Sequence, residues 1–178
     1  MVKVSIVNVV ATAALGQKVD LEELGKHGEI LHDSEIYGGR VAYFSSPNIE
    51  GKVSIFASGK MISVGTKSET EAFRALECAK DFLVEKGYVK RVVLKKLVQN
   101  IVAVADFEKN VNLERLAQDY KVIYEPEQFP GGIFRMEGRF RATVLIYASG
   151  KAVIAGLKSS KDIVPLMQKL SDIIEPYV

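Results

Sequence analysis

The polar side chains with the most informative spacing occur in pairs, one in each half of the chain. Asn8 precedes Val-Val-Ala and Asn100 precedes Ile-Val-Ala, 92 positions later, whereas Lys60 and Lys151 both follow Ala-Ser-Gly and lie 91 positions apart. An amide donates and accepts hydrogen bonds, and an ammonium group binds anions. Such groups at matching positions predict a binding function. The alternative is that the two asparagines only complete hydrogen bonding at a strand edge.

Catalytic groups are not marked out by any spacing. His27 and His32 lack a second ligand at metal-binding spacing, and most lone histidines are not ligands. Cys78 lies within the apolar pattern of a helix, which favours burial over reactivity. The glycine pairs Gly38-Gly39 and Gly131-Gly132 do not continue into the Gly-Lys-Ser/Thr of a phosphate loop. The sequence therefore predicts a protein that is not an enzyme and has no metal and no cofactor.

Composition restricts the class of protein further. The 178 residues are 48% hydrophobic and 26% charged, which is enough to build a core. A net charge of +2 excludes a protein that coats phosphates with positive charge, but not a reader of DNA with a local basic rim. The single cysteine and the lack of a membrane span or signal peptide predict a cytoplasmic protein.

One unit of sequence occurs twice. VSIFASGK at 53–60 returns as VLIYASGK at 144–151, and Gly65-x-Lys67-Ser68 returns as Gly156-x-Lys158-Ser159. Two copies of this size predict a pseudo-symmetric body rather than a solenoid, with repeats at 1–90 and 91–178. Such a body suits a partner of the same symmetry, and duplex DNA is the commonest one.

Each half is predicted to contain a strand, a short helix, several strands and a long helix. The first strands cover 2–12 and 91–106, and Ser58-Gly59 and Ser149-Gly150 predict hairpin turns. Ser68 caps a long helix that ends at Gly87, and the last helix covers 161–174. Several strands are apolar on both faces, yet the helices can cover only one side of a sheet. We therefore expect an exposed apolar face, which usually marks a binding site.

Three motifs together resemble one known family. Residues 124–136, YEPEQFPGGIFRM, are similar to the family's sequence around its second stirrup, a loop between two strands. Residues 7–12 and 99–103 resemble the first strand of each family repeat, and the Ser-Gly-Lys hairpins followed by Gly-x-Lys-Ser complete the pattern. The chain is thus identified as a member of the TATA-box-binding protein family over nearly its whole length. The resemblance implies an α+β saddle, in which two pseudo-symmetric repeats form a curved antiparallel sheet with helices on the convex face.

The resemblance also implies a function and partners. The expected function is that of a general transcription initiation factor of archaeal type, which binds and bends A·T-rich promoter DNA through the minor groove. It would act as a monomer on DNA and could form a homodimer when free. Its expected partners are transcription factor B and, through it, RNA polymerase. Its expected location is the nucleoid in the cytoplasm, or the nucleus in a eukaryote.

Individual residues receive roles from the same resemblance. Asn8 and Asn100 would donate amide hydrogens to base acceptors. The remaining DNA-binding positions are the four aromatic wedges Tyr37, Phe56, Phe129 and Tyr147, the apolar Val10, Ile62, Val64, Val102, Val153 and Ala155, and the phosphate-binding Lys60, Lys67, Arg135, Lys151 and Lys158. The residues offered to transcription factor B are Glu125, Glu127 and Gln128. Any of the aromatic residues could instead belong to the core; Pro130-Gly131 beside Phe129 favours an exposed wedge there, and both interpretations stay open for Tyr37 and Tyr147.

The sequence departs from the family at several of these positions. The first stirrup, Ile36-Tyr37-Gly38-Gly39, lacks the Phe-Pro-Gly form, and Val64 and Ala155 stand where the family has threonines. Tyr43 aligns with Arg135, so the first half is expected to lack a matching cation. These departures motivate an alternative function, that of a saddle-fold scaffold for protein interactions, or a regulatory paralogue, with weakened DNA binding.

Overall fold

The computed structural model describes residues 2–178, and their contacts divide the chain into two compact units. The first unit is Asn8–Gln99, and the second unit is the segment up to Val7 together with Asn100–Val178. Strands β1 (Lys3–Ala14) and β6 (Leu97–Asp106) each contribute residues to both units. The repeat boundary at residue 90 stays a prediction.

After β1, the elements of the first unit are, in chain order, α1 (Leu21–Leu24), β2 (Ile30–His32), a 3-10 turn (Ile36–Gly39), β3 (Val41–Phe44), β4 (Lys52–Phe56), β5 (Lys60–Thr66) and α2 (Glu69–Glu85). Its five strands form an antiparallel sheet in the order β2-β3-β4-β5-β1.

After β6, the elements of the second unit are α3 (Leu113–Asp119), β7 (Val122–Ile123), β8 (Gly131–Met136), β9 (Ala142–Tyr147), β10 (Lys151–Leu157), a 3-10 turn (Ser160–Asp162), α4 (Ile163–Ile174) and a last 3-10 turn (Glu175–Tyr177). The sheet repeats the arrangement of the first unit, with the strand order β7-β8-β9-β10-β6.

Local signals place the ends of α2. The Ser68 hydroxyl accepts a hydrogen bond from the backbone N–H of Glu71 at 3.1 Å, as the capping sequence predicts. At the other end Gly87 has φ +80°, and the N–H of the next residue, Tyr88, donates to the carbonyl of Leu83 at 2.9 Å. This left-handed glycine ends the helix because it turns the chain back onto the last carbonyls.

The predicted strand at 91–106 is wrong in its first part, because regular pairing begins only at Leu97. Residues 91–96 run along α2 instead. The Lys96 ammonium pairs with Glu77 at 2.5 Å and lies 6.0 Å from the ring centroid of Phe73, while Leu94 is buried. The segment is apolar enough for a strand, but its side chains find their partners on a helix.

The core of each unit lies on the side of the sheet that its helices cover. In the first unit α2 packs against β4 and β5, so that Leu76 and Leu83 are buried together with Ile55 and Met61. In the second unit Ile146 and Ile154 of the sheet and Leu166 and Leu170 of α4 are likewise buried. Within residues 2–178, no helix is both long enough and apolar enough to cross a membrane.

Candidate nucleic-acid interface

Asn8 and Asn100 each complete hydrogen bonding at an irregularity of their sheet. The pairing of β1 with β5 shifts register once, and the pairing of β6 with β10 shifts in the same way. A glycine of positive φ lies at each shift, +86° at Gly65 and +100° at Gly156. The N–H of Gly65 donates to Asn8 Oδ1 at 2.8 Å, and the N–H of Gly156 donates to Asn100 Oδ1 at 2.7 Å.

These bonds fix which way each amide points. A backbone N–H can only donate, so the atom that faces it must be the amide oxygen. The NH₂ group of each asparagine is then left to donate elsewhere. Both side chains are half-buried, on strands whose alternate residues Val9 and Ile101 are fully buried. The structural role and the binding role of these asparagines are therefore compatible. The oxygen accepts a hydrogen bond within the sheet, and the NH₂ group is available to a ligand.

Each sheet has a second side that the helices leave uncovered, which we call the open face of its unit. Residues on this side are half-buried or exposed and alternate along the strands with buried core residues. The apolar positions predicted to contact DNA all lie here: Val10, Ile62 and Val64 in the first unit, and Val102, Val153 and Ala155 in the second. Their side chains offer apolar contact without polar groups that would need partners.

The aromatic residues of the second unit form a pair at the edge of its open face. The rings of Phe129 and Tyr147 lie with centroids 6.0 Å apart, tilted by 58°. Gly131 makes room for them, because a Cβ at this position would lie 2.8 Å from the Phe129 ring. Phe129 and Tyr147 are both half-buried, so neither is an ordinary core residue.

The corresponding residues of the first unit are arranged differently. Tyr37 is 76% exposed and has a left-handed backbone, with φ 49° and ψ 33°, while Phe56 is half-buried on β4. Among the residues that the structure describes, no ring contact joins these two side chains. The loop that carries Tyr37 is also longer. Ile30 pairs with Phe44, whereas the corresponding Val122 pairs with Phe134. The connection between the paired strands is therefore two residues longer in the first unit than in the second.

The second stirrup, residues 124–130, is a compact exposed turn. The carbonyl of Glu125 accepts hydrogen bonds from the N–H groups of Gln128 and Phe129, both at 2.9 Å. The side chains of Glu125, Glu127 and Gln128 are exposed. The turn therefore presents two carboxylates and an amide to solvent while it holds Phe129 at the edge of the open face.

The cations predicted to bind phosphate are all exposed. Lys60 and Lys151 begin β5 and β10 directly after the two hairpin turns, and Lys67 and Lys158 follow the ends of these strands. Arg135 is exposed on β8, where it pairs with Thr143 of β9. Each cation lies next to the open face of its own unit.

The register corrects the expected counterpart of Arg135. Ser54 and Leu145 occupy the same position of the repeated sequence, and their cross-strand partners are Tyr43 and Ile133. Tyr43 therefore corresponds to Ile133, and the counterpart of Arg135 is Ser45. Continuing that register places Ser45 beside Lys52, the counterpart of Thr143. The first unit thus has a cation at this point of the sheet, carried by the neighbouring strand.

Lys52 was missed by sequence reasoning, because its place is defined only by strand pairing. It is exposed, and its ammonium lies 4.6 Å from the ring centroid of Tyr43. We therefore add Lys52 to the candidate interface.

The comparisons with known proteins agree with this geometry. The family model described as "Transcription factor TFIID (or TATA-binding protein, TBP)" matches residues 3–85 and again residues 95–177. The chain belongs to the TATA-binding protein family. A double match of one model also confirms that the sequence contains two copies of one unit.

Individual TATA-binding proteins match nearly the whole chain. This chain is 38% identical over 159 residues to the TATA-box-binding protein of Cenarchaeum symbiosum, and the alignment covers 89% of this chain and 86% of that protein. It is 34% identical to the TATA-box-binding protein of Methanococcus aeolicus, covering 97% and 94%. The solved structure of Methanococcus jannaschii TBP aligns with a TM-score of 0.84 at 33% identity, covering 98% of this chain and 99% of that one. The predicted fold class is confirmed.

The two histidines have structural partners. His27 Nε2 lies 2.9 Å from the hydroxyl of Tyr88, and His32 Nε2 lies 3.0 Å from the carbonyl of Gly39. Within residues 2–178, no group of three or more His, Cys, Asp or Glu side chains could hold a metal ion. Cys78 lies on α2 and is half-buried.

Proposed function

We propose that this chain is a general transcription initiation factor that binds A·T-rich promoter DNA through the minor groove and bends it. The observation that carries the proposal is the duplicated asparagine, whose oxygen is used by a glycine N–H and whose NH₂ group is left on the open face. In the minor groove an A·T pair shows only acceptors, whereas a G·C pair adds the amino donor of guanine. Two amide donors therefore suit A·T pairs and oppose G·C pairs.

The apolar open faces suit the same ligand. The minor-groove edge of an A·T pair has acceptors but no donor, so apolar side chains that lie against it leave no donor of the DNA unpaired. Val64 and Ala155 lack hydroxyl groups, so selection there depends on shape rather than on hydrogen bonds. We expect preference for flexible A·T steps, whose deformation needs less energy.

Aromatic wedges account for the bending. Rings that enter between base steps unstack them and kink the duplex, a mode for which TATA-binding proteins are an established example. The proposed wedges are Phe129 with Tyr147 in the second unit and Phe56 with Tyr37 in the first. Because the rings of Phe129 and Tyr147 already lie together, 6.0 Å apart, we expect the second unit to require less rearrangement.

Exposed cations supply affinity. Phosphate contacts position a protein on DNA but do not read its sequence. The proposed phosphate-binding residues are Lys60, Lys67, Lys151, Lys158, Arg135 and the newly identified Lys52. Each phosphate neutralised releases counterions, so binding must weaken as salt rises.

The second stirrup is the proposed docking site for transcription factor B, and through it for RNA polymerase. Pro126 and Pro130 restrict this loop, which lowers the cost of ordering it on association. The exposed Glu125 and Glu127 can pair with basic groups of the partner, which serves specificity and the rate of association.

The same chain would act as a monomer on DNA, in the nucleoid, and free copies could pair through their open faces.

Binding to an A·T-rich duplex and to a G·C-rich duplex across a salt series tests the proposal. We expect tighter binding to the A·T-rich duplex at every salt concentration, and affinity that falls as salt rises. A control variant, Lys169→Ala, removes one positive charge from an exposed position of α4, outside the proposed interface. It should bind both duplexes like the wild type, which separates an effect of the interface from an effect of net charge. Equal affinity for the two duplexes would contradict the minor-groove function and favour the interaction scaffold.

A further inference from the structure

Each unit has two lysines at corresponding places beside the turn of its hairpin. In the first unit these are Lys60, at the start of β5, and Lys95, and both line one shallow cavity together with Ala14 and Gly16. Ala14 is the direct cross-strand partner of Lys60. We call this group the first corner. No carboxylate lines it among the residues that the structure describes.

The second corner contains the counterparts of these residues. Lys151 begins β10 and shares a cavity with Lys3, as Lys60 does with Lys95. The direct cross-strand partner of Lys151 is Asp106, which stands where the first corner has Ala14. The place of Gly16 is taken by Glu108, whose carboxylate forms an ion pair with Lys3.

The two carboxylates are held in place. Asp106 Oδ1 accepts a hydrogen bond from the N–H of Glu108 at 2.8 Å, and Glu108 keeps a left-handed backbone with φ 56°, as Gly16 does with φ 67°. The ion pair with Glu108 raises the pKa of Lys3 through a hydrogen bond and the attraction of the opposite charge. Both corners have two lysines at corresponding places, but only the second corner has two carboxylates beside them.

We propose that Asp106 and Glu108 neutralise the second corner toward phosphate, so that the first corner is the main electrostatic anchor on DNA. This inference rests on the proposed function and divides its work between the two repeats. Directly opposed residues of an antiparallel pair have Cβ atoms about 5 Å apart. Side chains on such neighbouring positions can bring their charges within the Debye length of about 10 Å at 0.1 M salt, so we expect Asp106 to lower the attraction of Lys151 for a phosphate.

A lysine with a carboxylate neighbour gains less from a phosphate. The phosphate must compete with a negative charge that is already present, and the carboxylate itself repels the DNA backbone. Fewer counterions are then released, which lowers the salt dependence that this corner contributes. At the first corner no such competition opposes Lys60.

The salt dependence of binding to the A·T-rich duplex tests this division. Since each phosphate contact changes the logarithmic slope by about 0.9, Lys60→Ala should reduce the affinity loss between 50 and 200 mM salt by roughly 3.5-fold. Lys151→Ala should reduce it clearly less. Asp106→Ala, which copies Ala14, should tighten binding and steepen the slope, and Ala14→Asp should weaken binding and flatten it.

A double-mutant cycle separates an electrostatic role of Asp106 from a merely structural one. If Asp106 acts through Lys151, Asp106→Ala should tighten binding much less when Lys151→Ala is also present. Equal effects of Lys60→Ala and Lys151→Ala, or unchanged binding in Asp106→Ala, would overturn this inference while the proposed function stands. If the wild type showed no preference for A·T-rich DNA, the proposed function would fail and this inference with it.

Discussion

Exchange of Asn100 for aspartate should separate the two tasks of this side chain. In Asn100→Asp the oxygen that accepts from the Gly156 N–H at 2.7 Å is kept, while the NH₂ donor becomes a second, charged oxygen. The fold should therefore be preserved and the contact with DNA lost. Asn100→Ala is the comparison, because it removes both.

The magnitude follows from hydrogen-bond energies. Loss of a donor toward a base acceptor, replaced by a negative charge facing that acceptor, should cost about 1.4–2.8 kcal/mol, or roughly a 10- to 100-fold loss of affinity. The unfolding free energy of Asn100→Asp should stay within about 0.5 kcal/mol of the wild type. Asn100→Ala should lose about 0.5–1.5 kcal/mol of stability, because the Gly156 N–H loses its partner.

Anisotropy titrations with labelled duplexes and urea unfolding of the same variants measure both effects. A duplex with one central G·C pair adds a specific check, since aspartate can accept from the guanine amino group that opposes the asparagine. Asn100→Asp should therefore discriminate less between A·T and G·C at that step. Wild-type affinity in Asn100→Asp would refute the donor role. A loss of stability as large as that of Asn100→Ala would refute the described role of the oxygen.

Three further predictions follow from the wedges, the stirrup and the core. Phe129→Ala should reduce DNA bending, measured by energy transfer between the duplex ends, more than Tyr37→Ala does, and an unchanged bend in Phe129→Ala would count against insertion there. Glu125→Lys should abolish the complex with transcription factor B and leave binding to DNA alone nearly unchanged, whereas Glu35→Lys, next to the first stirrup, should change neither. Gel shifts in which only Glu35→Lys lost the complex would move the docking site to the first unit. Ser63→Ala should raise the unfolding free energy by about 1 kcal/mol, because the buried hydroxyl of Ser63 has no hydrogen-bond partner in the part of the chain described; a lower midpoint of urea unfolding would disprove this.

The sequence by itself determined the features that depend on neighbouring residues. Glycine and serine set the hairpin turns before Lys60 and Lys151, and Ser68 and Gly87 set the ends of α2, because turns and caps use backbone angles and hydrogen bonds within a few positions. The duplication is likewise visible without a structure, since both copies keep the same local pattern. Fold class and family followed from these signals together.

Only the tertiary structure decided which residues meet across strands. Asn8 finds the N–H of Gly65, 57 positions away, because the register of β1 on β5 shifts there. The same kind of pairing places Asp106 beside Lys151 but Ala14 beside Lys60. A one-residue change of register would exchange every such neighbour, and register is set by the packing of the whole buried face rather than by local sequence. The distribution of charge over the two open faces is therefore a property of the folded chain.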